Sequence, residues 1–290
     1  MTTRTYGSPP SVLPSFAKAA AAMLPGAGNL PFIGGGGGEL PDLTLELPQV
    51  RIDGEHLRRY NEVCGFGASS AVPSTYGQVL AFPLHMALTT DGSFPFAAIG
   101  LVHVSNAITQ RRPLEAGEEL AISVRATDLE PHRRGKTFTI RTEISAGGEV
   151  VWEGAATTLR MGGGSGEKAP IGEKPGKPTE LELEPAETWE LPADLGRRYA
   201  AVAGDRNPIH LYDITAKPLG FKRAIIHGMW TKARSLAALG EVPEAHALEV
   251  KFLKPIFLPG KVEFLRGGDD FAVRDAAKGT PHLAGQIRSL

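Results

Sequence analysis

The sequence has one cysteine, few aromatic residues and no excess of either charge. Cys64 has no second cysteine to pair with, which excludes an intrachain disulfide framework and a zinc site built from several cysteines. The 31 Lys and Arg residues nearly balance the 32 Asp and Glu residues, so bulk charge cannot drive binding to a polyanion. We therefore expect no nucleic acid among the partners.

Long apolar segments are also missing. No uninterrupted apolar run approaches the roughly 18–20 residues that a membrane-spanning helix needs. The apolar stretch at residues 19–24 is too short for the core of a secretory signal and directly follows Lys18. The sequence therefore predicts a globular, cytoplasmic protein without membrane association.

Glycine and proline are concentrated near the N-terminus. Residues 1–50 contain the five-glycine run Gly34–Gly38 and seven prolines. The run lacks the Gly-Lys-Ser/Thr that follows in a phosphate-binding loop. Residues 1–50 are therefore interpreted as a flexible arm with at most a short helix over residues 15–24.

A second stretch rich in Gly, Pro, Lys and Glu predicts a solvated linker at residues 161–180. It separates two segments of similar size, residues 51–160 and residues 181–290. Each is long enough to form a domain with its own core.

The two segments repeat each other. The motif Tyr-x-x-Val-x-Gly occurs at residues 60–65 and again at residues 199–204. Each half then has a histidine and a proline 28 residues apart (113 − 85 and 255 − 227), namely His85 with Pro113 and His227 with Pro255. Three matches in one order predict a duplicated domain.

Each half combines a principal helix with strands. In the second half, Asp194 is positioned to cap a helix that runs to Ala203, and another helix is expected over residues 229–239. Runs rich in Val, Ile, Thr and Phe follow in both halves and predict antiparallel strands. This order favours an α+β fold in which a curved sheet surrounds a central helix.

The first-half helix is expected to differ. Asp91 and Gly92 interrupt the pattern that follows His85, so the helix after His85 is predicted to be short or broken. Such a helix would leave space beneath its sheet.

A polar cluster occurs in the second half only. After the repeated motif, that half continues with Asp205, Asn207, Pro208 and His210, whereas the first half has no acid or histidine there. An acid and an imidazole fixed on one surface can orient and deprotonate a water. Because Asp-x-Asn-Pro is also an ordinary turn sequence, local sequence alone leaves both interpretations open.

Gly228 precedes the second predicted helix of that half. A glycine at a helix N-terminus lets a backbone N–H approach a ligand and stabilise an oxyanion. Close packing of the helix is the alternative reason for a glycine at this position.

Together these residues resemble the signature of the (R)-specific enoyl-CoA hydratases, which belong to the MaoC-like dehydratases. The resemblance rests on Gly-Asp-Arg-Asn-Pro-Ile-His at residues 204–210, on Gly-Phe at 220–221 and on Ile-His-Gly-Met at 226–229. It covers about residues 199–229, and Ala203 departs from it where a small hydroxyl residue is frequent. The family implies two tandem hot-dog domains forming a pseudo-dimer, with an N-terminal copy that has lost catalysis.

The resemblance implies reversible hydration of trans-2-enoyl thioesters to (R)-3-hydroxyacyl thioesters in fatty-acyl metabolism. Asp205 and His210 would hold one water, the Gly228 amide would bind the thioester carbonyl, and Asn207 would support the loop. No metal and no cofactor is expected beyond the coenzyme A or acyl carrier protein that carries the substrate. The alternatives are a hot-dog thioesterase and a non-catalytic acyl-thioester-binding subunit.

Basic residues follow the motif without any acid between residues 214 and 239. Lys222, Arg223, Lys232 and Arg234 are therefore candidate contacts for the phosphates of coenzyme A or for an acidic carrier protein, and a solvated helix face is the alternative.

Three further expectations concern the two halves together. His227 is interpreted as structural, because its counterpart His85 lies in the half without the Asp–His pair. The space under the first-half sheet predicts a tunnel for a medium or long acyl tail. A monomer is feasible because duplication buries the usual dimer interface within one chain, and a homodimer remains the alternative.

Overall fold

The computed structural model describes residues 2–21, 38–67, 71–98, 100–162 and 183–290. The helices are α1 (Val12–Ala21), α2 (Gly54–Cys64), α3 (Tyr76–Thr89), α4 (Leu195–Ala203), α5 (Asp213–Ala216) and α6 (Gly228–Leu239). The strands are β1 (Thr2–Thr5), β2 (Leu43–Val50), β3 (Leu101–Gln110), β4 (Leu120–His132), β5 (Gly135–Ala146), β6 (Glu149–Met161), β7 (Glu184–Leu191), β8 (His246–Phe252), β9 (Gly260–Gly267), β10 (Asp270–Asp275) and β11 (Pro281–Ser289). Among the described residues, no helix is long and apolar enough to cross a bilayer.

One sheet connects both halves of the chain. Its strand order is β1-β2-β4-β5-β6-β3-β8-β11-β10-β9-β7. At the centre, residues 105–110 of β3 pair antiparallel with residues 246–251 of β8. The strands predicted after each main helix are confirmed, because alternating apolar residues of high β propensity pack one face of each strand on a helix.

Each half of the sheet curves around one buried helix. Leu84 and Leu88 of α3 are fully buried in the first half, and Trp230 and Ala233 of α6 are buried in the second. Neither helix has the polar face of a surface helix, since both lie between sheet and neighbouring helices. The predicted α+β arrangement therefore occurs twice.

The repeated Tyr-x-x-Val-x-Gly motif forms the ends of α2 and α4. Gly65 and Gly204 terminate these helices with left-handed φ values of 83° and 77°. Tyr60 and Tyr199 are buried with their rings 6.2 Å apart, so the two copies of the motif meet between the halves. Asp194 occupies the predicted N-cap position of α4, but its side chain accepts no capping hydrogen bond.

The prediction of a flexible arm at residues 1–50 is wrong for its two strands. β2 pairs with β4, and β1 pairs in parallel with β2. Leu43, Leu45 and Leu47 alternate with polar residues and are buried in the core. The many prolines led to the prediction of an arm, although residues 43–47 have the two-residue periodicity of a strand. Residues 34–37 of the glycine run and residues 163–180 of the proposed linker lie outside the described residues.

The interpretation of His85 as the counterpart of His227 is wrong. His85 lies inside α3, where its Nε2 is 2.7 Å from Thr142 Oγ1, whereas His227 directly precedes α6. The helix is not short or broken either: α3 contains Pro83, and it ends at Thr89. The equal His–Pro spacing is a coincidence. The connection from α2 to α3 is shorter than that from α4 to α6, and the connection from α3 to β3 is longer than that from α6 to β8.

Candidate active site

The polar cluster of the second half forms a turn directly after α4. Asp205 Oδ1 accepts the Asn207 N–H at 3.0 Å, and Asn207 Oδ1 accepts the Ile209 N–H at 3.4 Å. Pro208 then begins a 3₁₀ turn that ends at His210. Two successive side-chain-to-backbone turns, with a proline between them, fix this loop without regular secondary structure.

His210 is buried and its ring is held in one orientation. Nδ1 lies 2.8 Å from the carbonyl oxygen of Ile225, so Nδ1 carries the proton and Nε2 presents a lone pair. Burial lowers the pKa of His210 below its ordinary value, although the nearby Asp205 acts in the opposite direction. His210 is therefore neutral near pH 7 and suited to accept a hydrogen bond.

His227 lies in the same cluster, although the sequence suggested only a structural residue. Its Nε2 donates to the backbone oxygen of Asp205 at 2.9 Å, and its ring stacks on that of His210 with centroids 3.6 Å apart. Burial, and next the neighbouring His210, lower its pKa well below the ordinary value. His227 thus links the Asp205 loop, the ring of His210 and the start of α6.

The three side chains converge. One carboxylate oxygen of Asp205 and one ring nitrogen each of His210 and His227 all lie within 4.8 Å of one another. A water that makes hydrogen bonds of about 2.8 Å can bridge two groups at this separation. The arrangement can therefore hold and polarise one water between the carboxylate and an imidazole.

The same three residues fit a metal ion poorly. His227 Nε2, which lies 3.9 Å from Asp205 Oδ2, has its proton directed at the Asp205 carbonyl and has no lone pair to offer. His210 Nδ1 is likewise bonded to a carbonyl. His227 Nδ1 has no hydrogen-bond partner among the described residues, but the two rings stack at 24° to each other. The lone pairs of His210 Nε2 and His227 Nδ1 therefore lie in nearly parallel planes and are poorly aimed at one ion beside Asp205.

Gly228 is the first residue of the twelve-residue helix α6. Its amide belongs to the first turn, where N–H groups have no partner within the helix and the helix dipole favours negative charge. A Cβ at this position would lie 2.9 Å from the ring of Phe252, so any side chain would displace that ring. Close packing, one of the two reasons for a glycine that the sequence left open, therefore applies here.

A cavity of about 340 Å³ joins this cluster to the first half of the chain. Its second-half wall includes Asp205, Asn207, His210, His227, Gly228 and Phe252. Its first-half wall includes Val79, Phe82, Met86, Leu101, His103 and Ile140. The cavity thus has a polar end at the cluster and a largely apolar extension under the first-half sheet.

The basic candidates separate into two groups. Lys222 and Arg223 are exposed and directly follow Phe221, whose side chain lines the cavity. Lys232 is fully buried and bonds the oxygens of Asn106 and Leu248, so its prediction as a carrier contact is wrong.

Arg234 is also engaged elsewhere. Its Nη2 lies 2.6 Å from Glu187 Oε2, and its guanidinium stacks 4.6 Å above the ring of Trp189. The guanidinium is thus engaged within the chain, and a contact between Arg234 and the carrier stays a prediction. The error for Lys232 arises because residue 232 lies on a buried face of α6, while residues 222 and 223 belong to a surface loop.

Sequence reasoning missed the first-half residues that line the cavity. His103 is an example: its ring lies 4.9 Å from that of Phe252, and an irregularity in β3 directly follows it. Asn106 and Ile108 alternate toward the core, so regular alternation would turn His103 the other way. The irregularity at residue 104 turns the His103 side chain toward the cavity instead. No residue type in this stretch of the sequence predicts such an irregularity.

The buried histidines predict a loss of stability in mild acid. Burial lowers the pKa of His85 to about 3 and that of His103 to about 4. The unfolded chain takes up these protons below about pH 6.5 while the native state does not, so stability is present above that pH and falls as the pH decreases toward the native pKa values.

Each such histidine should remove about 2 kcal/mol from the free energy of unfolding between about pH 7 and pH 5. Urea denaturation across this range measures the effect. His85→Gln should flatten the pH dependence by about that amount, and identical slopes for both proteins would contradict the assignment.

Comparison with known proteins identifies relatives over nearly the whole chain. Residues 167–266 match the family described as MaoC like domain. The chain is 38% identical over 289 residues to 3-hydroxyacyl-thioester dehydratase X of Mycobacterium tuberculosis, covering 97% of this chain and 99% of that protein.

Two solved structures resemble the fold. A crystal structure of HtdX from Mycobacterium tuberculosis has a TM-score of 0.75 at 36% identity, covering 85% of this chain and 100% of that chain. A Mycobacterium tuberculosis protein described as having a double hot-dog fold has a TM-score of 0.53 at 11% identity, covering 83% and 92% of the two chains. The predicted α+β class with two tandem hot-dog domains is confirmed.

Proposed function

The chain belongs to the MaoC-like dehydratase family, and on that premise we propose that it interconverts trans-2-enoyl thioesters and (R)-3-hydroxyacyl thioesters by adding or removing water. It is a hydro-lyase that acts on acyl thioesters in fatty-acid metabolism. The observation that carries the catalytic assignment is the convergence of Asp205 and His210 in one cavity with the N-terminus of α6.

Asp205 and His210 are the groups that bind the reacting water. As the water oxygen bonds to C3 of the enoyl group, one of its protons moves to the Asp205 carboxylate, and the π electrons of C2=C3 move toward the thioester carbonyl. The Asp205 carboxyl then delivers that proton to C2, which completes the addition and restores the carboxylate. His210 Nε2 accepts the second water proton in a hydrogen bond and keeps the oxygen aimed at C3.

Gly228 stabilises the charge that forms during the addition. Its backbone N–H donates to the thioester carbonyl, which becomes enolate-like, and the α6 dipole adds positive potential. His227 is a positioning residue, because it holds the Asp205 carbonyl and supports the ring of His210. Asn207 braces the loop through its bond to the Ile209 N–H.

The reaction requires no metal and no cofactor apart from the carrier of the acyl group. Addition of water to an α,β-unsaturated thioester needs a base, an acid and stabilisation of one oxyanion, and these residues can supply all three. The free, buried thiol of Cys64 suits a reducing compartment, so a cytoplasmic location is part of the proposal.

The first half holds the acyl tail. Val79, Phe82 and Met86 of α3 face the cavity together with Leu101 and Ile140 of the sheet. This apolar wall suits a medium or long acyl chain. The space for the chain does not require the short or broken helix that the sequence predicted, because α3 is continuous. The unit that begins with β2 is thus proposed as a non-catalytic, tail-binding domain, and the unit from β7 onward as the catalytic domain.

Lys222 and Arg223 contact the carrier. Both are exposed beside Phe221 at the cavity, where they can meet the phosphates of a pantetheine-bearing carrier. Lys222→Ala and Arg223→Ala should raise KM for crotonyl-CoA and leave KM for crotonyl-N-acetylcysteamine, which has no phosphates, unchanged.

The function is tested with crotonyl and dodecenoyl thioesters of coenzyme A. We expect loss of the enoyl absorbance and formation of the (R)-3-hydroxyacyl product, with dodecenoyl-CoA at least as good a substrate as crotonyl-CoA. Release of free thiol would instead indicate a thioesterase. Binding of both thioesters without conversion would indicate a non-catalytic subunit.

Gly196→Ala tests how α4 positions His210. A Cβ at residue 196 would lie 2.1 Å from the His210 backbone oxygen, so helix and turn must separate. We expect a lower kcat for crotonyl-CoA and a loss of about 1–3 kcal/mol in the free energy of unfolding. The matched control is Gly54→Ala in the first turn of α2, where a Cβ meets nothing within 4 Å. Equal kinetics for both variants would contradict this role.

A further inference from the structure

A histidine of the first half has an unpaired ring nitrogen on the cavity wall. Nε2 of His103 is enclosed and has no hydrogen-bond partner among the described residues. His85 also lines the cavity, but both of its ring nitrogens are engaged, Nε2 at 2.7 Å from Thr142 Oγ1 and Nδ1 at 3.2 Å from Gln78 Nε2. Because an unpaired buried polar atom is unfavourable, the free nitrogen of His103 requires an explanation that His85 does not.

The free nitrogen of His103 is an acceptor. Burial lowers the pKa of His103, so its ring is neutral near pH 7 and carries one proton. A hydrogen bond to the Ser105 backbone raises this pKa in part, which means that a ring N–H donates to the Ser105 carbonyl. Since Nε2 has no partner, the donor is Nδ1. Nε2 therefore presents a lone pair to a group that the chain itself does not supply.

A threonine hydroxyl lies opposite this ring. Thr158 of β6 pairs directly with His103 of β3, and directly paired residues of antiparallel strands have their side chains on one face with Cβ atoms about 4.5–5.5 Å apart. Thr158 lines the cavity and is only 8% exposed. Within the described part of the chain, its Oγ1 has no hydrogen-bond partner. The cavity wall therefore holds an unpaired acceptor beside an unpaired hydroxyl.

This pair lies near the site of hydration. The ring of His103 is 4.9 Å from that of Phe252, and a Cβ on Gly228 would lie 2.9 Å from the same Phe252 ring. The charge of Asp205 acts on the pKa of His103, so the Asp205 carboxylate is also close. An acyl chain whose thioester carbonyl is bound at Gly228 would thus pass His103 and Thr158 soon after C3.

We propose that His103 and Thr158 bind a hydroxyl group carried by the acyl chain, so that hydroxylated 2-enoyl thioesters are the preferred substrates. The proposal rests on the hydration function and adds a substrate class. The chain hydroxyl donates to His103 Nε2 and accepts from Thr158 Oγ1. A keto group can only accept and leaves Nε2 unpaired, and a methylene group leaves both side chains unpaired. Ile140 and Ala156 beside the pair are apolar and suit an otherwise unsubstituted chain.

The proposal is tested with trans-2-octenoyl-CoA and with its four derivatives that carry one hydroxyl group at C5, C6, C7 or C8. Hydration is followed by loss of the enoyl absorbance against blanks without protein. With the unaltered protein, we expect kcat/KM for one positional isomer to exceed that for octenoyl-CoA at least about fivefold, and the other isomers to be poorer than octenoyl-CoA. A single preferred position indicates a fixed site, whereas a general effect of polarity would change all four isomers alike.

Thr158→Val and His103→Phe test the two contacts. Valine resembles threonine in shape but lacks the hydroxyl, and phenylalanine keeps a ring against Phe252 but lacks the nitrogens. Each variant should lower kcat/KM for the preferred isomer at least about fivefold more than for octenoyl-CoA, because only the isomer loses a hydrogen bond. The matched control is Thr157→Val, since Thr157 is turned to the other face of β6 with its Oγ1 3.3 Å from Thr139 Oγ1. It should leave the ratio of the two kcat/KM values unchanged.

Two results would overturn the proposal. One is that the unaltered protein prefers none of the four isomers to octenoyl-CoA. The other is that Thr158→Val or His103→Phe lowers kcat/KM for the preferred isomer and for octenoyl-CoA by the same factor, which would reduce that residue to a packing role. Failure of the hydration function is distinguishable from both, because the unaltered protein would then leave octenoyl-CoA itself unconverted.

Discussion

Asp205→Asn is expected to lower kcat for the hydration of crotonyl-CoA by about 10²–10⁴-fold, with KM changed little. The substitution keeps the size of the side chain and an oxygen that can accept the Asn207 N–H. It removes the base that takes the water proton. The loss should therefore appear in the chemical step and leave binding of the thioester intact, which stopped-flow absorbance at enoyl wavelengths can measure.

A control variant at another aspartate and a variant of His210 test this prediction further. Asp194→Asn makes the same change at an exposed position whose side chain accepts no capping bond, and it should retain full activity. His210→Gln should also have a severely reduced kcat. The double variant Asp205→Asn/His210→Gln should have a kcat little lower than that of the less active single variant, because the two groups act on one water. Strictly additive losses would contradict a shared water.

Lys232→Met is expected to reduce the free energy of unfolding by about 2–4 kcal/mol. The Lys232 Nζ lies 2.5 Å from Asn106 Oδ1, 3.1 Å from the Asn106 carbonyl and 2.9 Å from the Leu248 carbonyl. Burial lowers the pKa of Lys232 well below its ordinary value, but three acceptors require the three N–H donors of the protonated amine. Methionine fills the space and removes all three of these hydrogen bonds.

The effect should be large because Lys232 joins both halves of the sheet. Asn106 belongs to β3 and Leu248 to β8, the two strands that pair between the halves. Urea denaturation followed by circular dichroism measures the change. Lys251→Met, at an exposed position on β8, should change stability by less than about 0.5 kcal/mol. A loss for Lys232→Met no larger than this control would show that the buried bonds contribute nothing.

The regular elements of the second half could be predicted from sequence because local signals agree there. The helix before Gly204 and the helix from Gly228 to Gly240 have glycines at their ends, and the strands that follow have a clear two-residue period. The first half was harder. Its principal helix contains Pro83 and lacks a clear amphipathic period, since α3 is buried on nearly every side.

The chemistry of the site could also be predicted in part. Asp205, Asn207 and His210 are close in sequence, so one turn brings them together. His227 was interpreted as structural, and its ring does bond a backbone oxygen, but its place beside the catalytic pair depends on contacts with the Asp205 carbonyl, 22 residues earlier, and with the ring of His210. Lys232 was misjudged because a basic residue on a helix is ordinarily solvated, and only burial between β3 and β8 overrides that expectation.

The sequence by itself determined the duplication, the helix and strand pattern of the second half, and the asymmetry that restricts the Asp–His pair to one copy. These properties depend on residue type and short spacing, which the order of amino acids contains directly. Only the tertiary structure decided that His227 stacks on His210, that Lys232 is buried and that the first half lines the cavity. Those contacts join residues distant in sequence, and the packing of the two halves of one sheet around two helices creates them.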